Sequence, residues 1–246
     1  MAEHYGFATL DLQGRGFRHL AFAAGLSEPS DALHVYVEHD GSPWIDAAER
    51  PANDPTPRNP LALELMARDR GPRLYLGRPC YFQPRPAAEC TPLLWTHRRY
   101  APEIVASMVA ALREFMQSHS FARVVLIGHS GGGTLAWLMA REMGEVTAVY
   151  TVAANLAVER WATLHGFTPL VGSLDPAALP DLNSTVVQVH YAGGRDRDVP
   201  AALLHWFAQR HGNARVVVMP EFDHVCCWVA HWPELLRYGG SANLLQ

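Results

Sequence analysis

Apolar positions along this chain fall into short runs of strand length, separated by segments with helical spacing. Phe7–Leu12 and Phe17–Ala23 read as two strands joined by the glycine-containing turn Gln13-Gly14-Arg15-Gly16. Leu33–Glu38, Arg73–Leu76, Arg123–Ile127, Val146–Val152, Thr185–Tyr191 and Arg215–Met219 bring the predicted strands to eight. Between them, Pro102–Ser118 predicts an amphipathic helix, because Ile104, Met108, Leu112 and Phe115 recur at helical spacing and Pro102 sits in the first turn. Shorter helices are expected at Leu61–Arg70, Thr134–Met143, Pro200–Arg210 and Trp232–Arg237. Asp46–Pro60 and Cys80–His97 read as long loops, and residues 155–184 as an irregular insert with a helical piece at Val158–Leu164, long enough for a small lid. Strands alternating with helices imply a mostly parallel sheet covered by helices on both faces, with the first two strands forming an antiparallel hairpin at its edge. The expected fold class is therefore α/β, one domain over residues 1–246 with the short insert at about 155–184.

Composition narrows the picture further. At 246 residues, 49% hydrophobic and 18% charged, the chain suits one domain with a full core. The net charge of −4 and the lack of a basic stripe argue against a nucleic-acid partner. All 20 basic residues are arginine, which fits a GC-rich genome that avoids lysine codons. No apolar run approaches the length of a membrane span. The start, Met1-Ala2-Glu3-His4-Tyr5, has neither the basic region nor the apolar core of a signal peptide, which read literally means cytoplasmic.

The strand Val124–Ile127 runs directly into Gly128-His129-Ser130-Gly131-Gly132-Gly133, and a helical pattern follows. Strand, sharp Gly-x-Ser-x-Gly turn and helix together form a nucleophile elbow. Ser130 is then held in a strained turn where the free N–H groups of the new helix converge. Gly128 and Gly132 are required because a Cβ at either flank would clash as strand and helix close.

A serine hydroxyl needs a base, and the base needs a carboxylate to fix its tautomer. In this arrangement the chain order is serine, acid, histidine, each after a strand. The acid falls in Gly193-Gly194-Arg195-Asp196-Arg197-Asp198-Val199-Pro200. Asp198 is placed to cap the following helix, so Asp196, in the turn itself, is assigned as the acid. His224, after Met219-Pro220-Glu221-Phe222-Asp223, is assigned as general base and acid, ahead of His231 near the last helix. The oxyanion hole needs two backbone N–H donors. One is expected from Gly131 and the other from Asp40 or Gly41, in the loop after the third strand. Asp40 is an awkward neighbour for an oxyanion, and a turn-structuring role suits its side chain. His129 is expected to shape the pocket floor, with Trp44, Trp95 and Trp161 as candidate pocket walls or core residues.

Of the four cysteines, Cys80 and Cys90 bracket a Pro-rich loop that a disulfide could close, and adjacent Cys226 and Cys227 read as two small buried hydrophobes. None has zinc-ligand spacing, and no metal or cofactor is called for.

In these motifs and their order, the chain resembles the α/β-hydrolase superfamily over nearly its whole length. More narrowly it is similar to a group of small, mostly uncharacterised bacterial α/β hydrolases. The matching segments are Val35-Tyr36-Val37-Glu38-His39-Asp40-Gly41, Asp54-Pro55-Thr56-Pro57-Arg58-Asn59-Pro60, Arg78-Pro79-Cys80-Tyr81 and Trp95. That group commonly has Gly-Asp-Gly where this chain has His39-Asp40-Gly41. The resemblance implies export or a lipoprotein signal, and a Cys80–Cys90 disulfide formed outside the cytoplasm. The expected activity is a serine hydrolase acting on small carboxylic esters, short acyl chains being favoured by the short insert. Peptidase, amidase, thioesterase and acyltransferase chemistry use the same three residues, and a binding protein without turnover is the reading from another class.

Overall fold

The computed structural model describes residues 2–45, 50–82 and 87–240; positions 46–49 and 83–86, inside the two expected loops, lie outside the described residues, as do Met1 and 241–246. The strands are β1 (Ala8–Gln13), β2 (Arg18–Ala24), β3 (Ala32–Val37), the short β4 (Trp44–Ile45) and β5 (Arg50–Pro51), β6 (Arg73–Leu76), β7 (Arg123–His129), β8 (Val146–Val152), β9 (Val187–Gly193) and β10 (Ala214–Met219). The helices are α1 (Leu61–Arg68), α2 (Pro102–His119), α3 (Gly131–Glu142), α4 (Val158–Leu164), α5 (Ala201–Ala208) and α6 (Trp228–Gly240). Eight strands form one sheet in the order β1-β2-β6-β3-β7-β8-β9-β10. β1 and β2 pair antiparallel at one edge, β2 meets β6 antiparallel, and all pairs from β6 to β10 are parallel.

Alternation along the central strands divides the core into two layers. Leu33, Val35 and Val37 of β3 and Leu126 of β7 point into one layer, with Met108 and Leu112 of α2, Leu135 of α3 and Phe207 of α5. Tyr36 and Ile127 point into the other, with Leu65 and Met66 of α1 and Trp228 and Trp232 of α6. Burial of each such large side chain contributes about 1.5–3 kcal/mol. The C-terminal ends of β3, β7, β9 and β10 therefore sit on a rigid platform. Ligands of open α/β sheets gather beyond such ends.

Several boundaries differ from the sequence expectation, some of them for clear local reasons. β9 starts at Val187, because Asn183 spends 183–186 on a turn: its Oδ1 accepts from Thr185 N–H at 3.0 Å and its carbonyl from Val186 N–H at 2.9 Å. The strand then runs on to Gly193, pairing with Met219. The last helix starts at Trp228, because Trp228, Trp232 and Leu235 form one buried stripe that outweighs the bond lost at Pro233. The antiparallel pair β4–β5, whose second strand falls in the predicted loop Asp46–Pro60, has strands too short for its alternation to be read. No helix among the described residues is long and apolar enough to cross a membrane.

Candidate active site

At the end of β7 the chain reverses within one residue. Ser130 has φ 51° and ψ −123°, a left-handed conformation that a non-glycine residue adopts only where its surroundings enforce it. Its N–H bonds Val152 O of β8 at 2.9 Å, and its carbonyl takes Gly133 N–H at 2.9 Å to start α3. A Cβ on Gly128 would lie 2.3 Å from Gly132 O, and one on Gly132 would lie 2.1 Å from Val37 O. Both glycines are thus demanded by close backbone approach.

His224, in the turn after β10, points Nε2 at Ser130 Oγ, 3.1 Å away, and Nδ1 at Asp196 Oδ2, 2.9 Å away. The structure brings together the three side chains named from the sequence. Asp196 is 5% exposed, and its other oxygen accepts from Asp198 N–H at 2.9 Å and Val199 N–H at 2.8 Å. One carboxylate thus both orders the turn and faces the imidazole. Asp198 does not cap α5 as expected; the residue at the helix start is Pro200, with no side-chain cap, and Asp198 uses its carbonyl to take Trp161 Nε1–H. Burial alone would lower the His224 pKa, but the Asp196 hydrogen bond and charge outweigh it and hold the pKa above 6.5. His231 lies a turn inside α6, bonded to Cys227 O.

The loop after β3 resolves the two candidate donors. Gly41 N–H is already donated to His39 Nδ1 at 3.0 Å. The N–H groups of Asp40 and Gly131 have no acceptor among the described residues. The two residues face each other, since a Cβ on Gly131 would lie 2.0 Å from Asp40 Oδ1.

The Asp40 carboxylate, awkward in the sequence, is neutralised from three sides. Oδ1 accepts from Arg78 Nη1–H, and Oδ2 accepts from Arg99 Nη1–H at 3.0 Å and from the Tyr100 hydroxyl at 2.6 Å. Burial pushes its pKa up, but the two guanidinium groups hold it well below the usual carboxylate range. Arg78 also donates to Arg99 O at 2.8 Å and lies over the Tyr81 and Tyr100 rings. Arg78, Arg99 and Tyr100 were not identified from the sequence as site residues, because the pairing spans 38 to 60 positions of chain. An Arg-Pro and an Arg-Arg-Tyr in loops carry no local signal of it.

His129 is closed off from solvent rather than open as a pocket floor. It is buried beneath the His224 turn, where its Nε2–H donates to His224 O at 3.0 Å. Burial, and then the charge of nearby His224, push its pKa down to about 3, so it is neutral with a bare Nδ1. Glu38 sits 3.6 Å from that nitrogen and caps α1 from a distance, its Oε2 accepting from Ala62 N–H at 2.9 Å. Glu38, His39 and His129 cluster closely enough to suggest a metal site. The hydrogen bonds argue against it. His39 Nδ1 accepts from Gly41, so its proton is on Nε2, facing Asn59 O at 3.3 Å, and it has no lone pair to offer.

Trp44 and Trp161 line a cleft of about 440 Å³, with His97, Arg99, Phe167 and Leu170. Trp95 is core, its Nε1–H on Ala52 O at 3.0 Å. Residues 161–170 of the insert make one wall of this cleft. Cys80 and Cys90 are bonded, which ties down the loop that carries Arg78 and Tyr81. Cys226 and Cys227 are not the buried hydrophobes expected. They are bonded to each other, Cys226 exposed and Cys227 half-buried, because Asp223 Oδ1 turns the chain outward by accepting from Val225 and Cys226 N–H.

Neither a protein-family model nor a curated protein matches the chain. Solved structures do. An esterase of Pyrococcus furiosus superposes with TM-score 0.66 at 11% identity, over 98% of this chain and 94% of that one. A lidless α/β serine hydrolase of Xanthomonas campestris gives 0.61 at 12%, over 95% and 93%. Est1E of Butyrivibrio proteoclasticus, solved with ferulic acid bound, gives 0.63 at 14%, over 94% and 96%. Full-length superposition on an eight-stranded, mostly parallel sheet, with helices on both of its faces, gives the chain the α/β-hydrolase fold.

Proposed function

We propose that this protein is a serine hydrolase that cleaves small carboxylic esters through an acyl-enzyme. The observation that carries this reading is the line of contacts Ser130 Oγ–His224 Nε2 (3.1 Å) and His224 Nδ1–Asp196 Oδ2 (2.9 Å), beside two uncommitted backbone N–H groups. Ser130 Oγ attacks the ester carbonyl as His224 Nε2 takes its proton. The oxyanion is held by the N–H groups of Gly131 and Asp40. As the carbon–oxygen bond to the alcohol breaks, His224 returns the proton to the leaving oxygen. Water, deprotonated by the same imidazole, then frees the acid and restores Ser130. Asp196 fixes the tautomer and stabilises the imidazolium. His129 and Glu38 support the turn from below rather than touching substrate. The insert at 155–184 works as a short lid whose wall leaves room for small groups rather than long lipid chains.

The Pyrococcus furiosus esterase among the structural neighbours supports esters over other acyl substrates. The test is turnover of a panel of 4-nitrophenyl esters and anilides by wild type and Ser130→Ala. Ester hydrolysis that falls by about 10⁴ to 10⁶ in the variant, with the fold retained, supports the reading. Anilide cleavage as fast as ester cleavage would reassign it as an amidase, and variant activity within tenfold would remove Ser130 from the chemistry.

A further inference from the structure

The Asp40 cluster holds more positive charge than its structural role needs. Among the described residues Arg78 and Arg99 have one carboxylate between them, that of Asp40, so two positive charges meet one negative charge and a net +1 remains in the cluster. Both guanidinium groups are buried, with side-chain exposures of 2% and 8%. A buried, uncompensated charge is costly unless a partner arrives. Arg78 spends part of its charge on the faces of Tyr81 and Tyr100. Arg99 has no aromatic face beneath it among the described residues. Its Nε–H donates to Thr96 O at 2.6 Å and its Nη1–H to Asp40, while Nη2 has no partner among the described residues and is not among the atoms sealed from solvent.

Among the described residues, Arg99 is also the one formally charged residue that lines the 440 Å³ cleft. The other described walls are mostly aromatic or apolar, with Thr168 as a further polar group. Trp44 stands edge-on to His97 with ring centres 5.6 Å apart, and Trp161 meets Phe167 at 5.2 Å. Both ends of the cleft are tied to the reacting residues: Arg99 grips Asp40, which faces Gly131, and Trp161 Nε1–H donates at 2.8 Å to the carbonyl of Asp198, two residues from Asp196. The volume matches a small planar group, within the usual range of ligand sites.

We propose that this cleft receives an aromatic ring bearing a carboxylate, with Arg99 Nη2 as the group that recognises the charge. This names the substrate class of the hydrolase proposed above and rests on that reading. The carboxylate is remote from the scissile ester: it completes the ion pairing of the cluster, and the ring lies among Trp44, His97, Trp161 and Phe167. Arg99 then selects substrate by charge through KM, while Asp40, clamped by the same guanidinium, keeps its N–H aimed at the oxyanion.

The test uses matched substrate pairs that differ only in a carboxylate or methyl group at the far end of the ring. One pair carries it on the acyl side: the mono-4-nitrophenyl ester of terephthalic acid and 4-nitrophenyl 4-methylbenzoate. The other carries it on the alcohol side: 4-carboxybenzyl and 4-methylbenzyl acetate. In wild type, kcat/KM for the carboxylate member is expected to exceed its partner by at least about tenfold in one pair, the factor due to one charge-assisted hydrogen bond. The gain appears in KM and shrinks as salt is added. Arg99→Gln should bring the ratio to about one. Because that change also loosens Asp40, Trp161→Ala provides an independent check: it should raise KM for both members of the favoured pair by a similar factor and leave the carboxylate-to-methyl ratio of that pair in place, whereas loss of the ratio in this variant would count against Arg99 as the group that reads the charge. Ratios at or below one in both pairs, while 4-nitrophenyl butyrate is turned over, would overturn the proposal and leave the hydrolase reading standing. No turnover of any ester would remove both.

Discussion

Replacing Asp40 by Asn isolates the ion cluster from the reacting residues, because the change preserves shape and leaves Ser130, His224 and Asp196 untouched. The carboxylate accepts from Arg78 on one oxygen and from Arg99 and Tyr100 on the other. An amide keeps one acceptor. Its NH₂ must replace either the oxygen facing Arg78 or the one facing Arg99, so one buried guanidinium is left opposite a donor. Breaking a buried pair from one side costs about 3–5 kcal/mol. The amide oxygen retains part of the interaction, which places the expected loss near 3 kcal/mol. For a chain of this length that corresponds to a melting point lower by about 6–12 °C. Differential scanning calorimetry at pH 7, with urea unfolding to confirm an unchanged m-value, reads this directly. The pH dependence carries a second signature. Asp40 has a folded pKa far below its unfolded value of 3.8, so its stabilisation is present above that value and is lost as pH falls through the folded pKa. The gap between wild type and variant should be constant from pH 7 to pH 5 and narrow only below about pH 4. A loss of less than about 2 °C at pH 7, or a gap that widens on acidification, would refute the electrostatic account of this loop.

Three further outcomes follow from the geometry. Asp196→Asn should cut turnover by on the order of 10⁴, whereas Asp198→Asn should change it little, because Asp198 contributes its carbonyl to the fold; the reverse ranking in steady-state kinetics would move the role to Asp198. In the proposed mechanism the free base at His224 is the active form, and the Asp196 carboxylate holds its pKa above the usual histidine value, so kcat/KM should fall on the acid side of a midpoint raised above that value, and Asp196→Asn should move that midpoint downward; an unchanged midpoint would contradict the pairing. Gly133→Ala should destabilise by about 1–3 kcal/mol, since its Cβ would come within 2.4 Å of Ala154 Cβ, and a melting point equal to wild type would show that α3 packs less tightly against β8 than described.

Legibility in the sequence tracked the range of the interactions. β7, the Ser130 turn and α3 are written in twenty consecutive residues, with strand period, two obligatory glycines and helical period in series, so they could be located from neighbours alone. Asp196 and His224 were legible because each follows a recognisable strand, and the parallel topology carries those strand ends to the same edge of the sheet. The oxyanion loop was half legible. Gly41 and Asp40 look equivalent in sequence, and only the fold turns His39 Nδ1 onto the Gly41 N–H. The ion cluster was not legible at all. Arg78 and Arg99 sit in loops without period, and what joins them to Asp40 is three-dimensional neutralisation of a buried charge. His129 misled for the same reason: a residue beside the serine looks like pocket lining, but the strand pleat turns it inward beneath His224.

In the proposed mechanism Ser130 is a nucleophile made reactive by His224. Incubation with a fluorophosphonate at neutral pH, followed by intact-mass and peptide-level mass spectrometry, tests it without knowledge of the natural substrate. One phosphonate per chain is expected, on the peptide containing Gly128-His129-Ser130-Gly131-Gly132 and at Ser130 itself, with labelling abolished in His224→Ala. An unlabelled protein, or an adduct on any other residue, would contradict it.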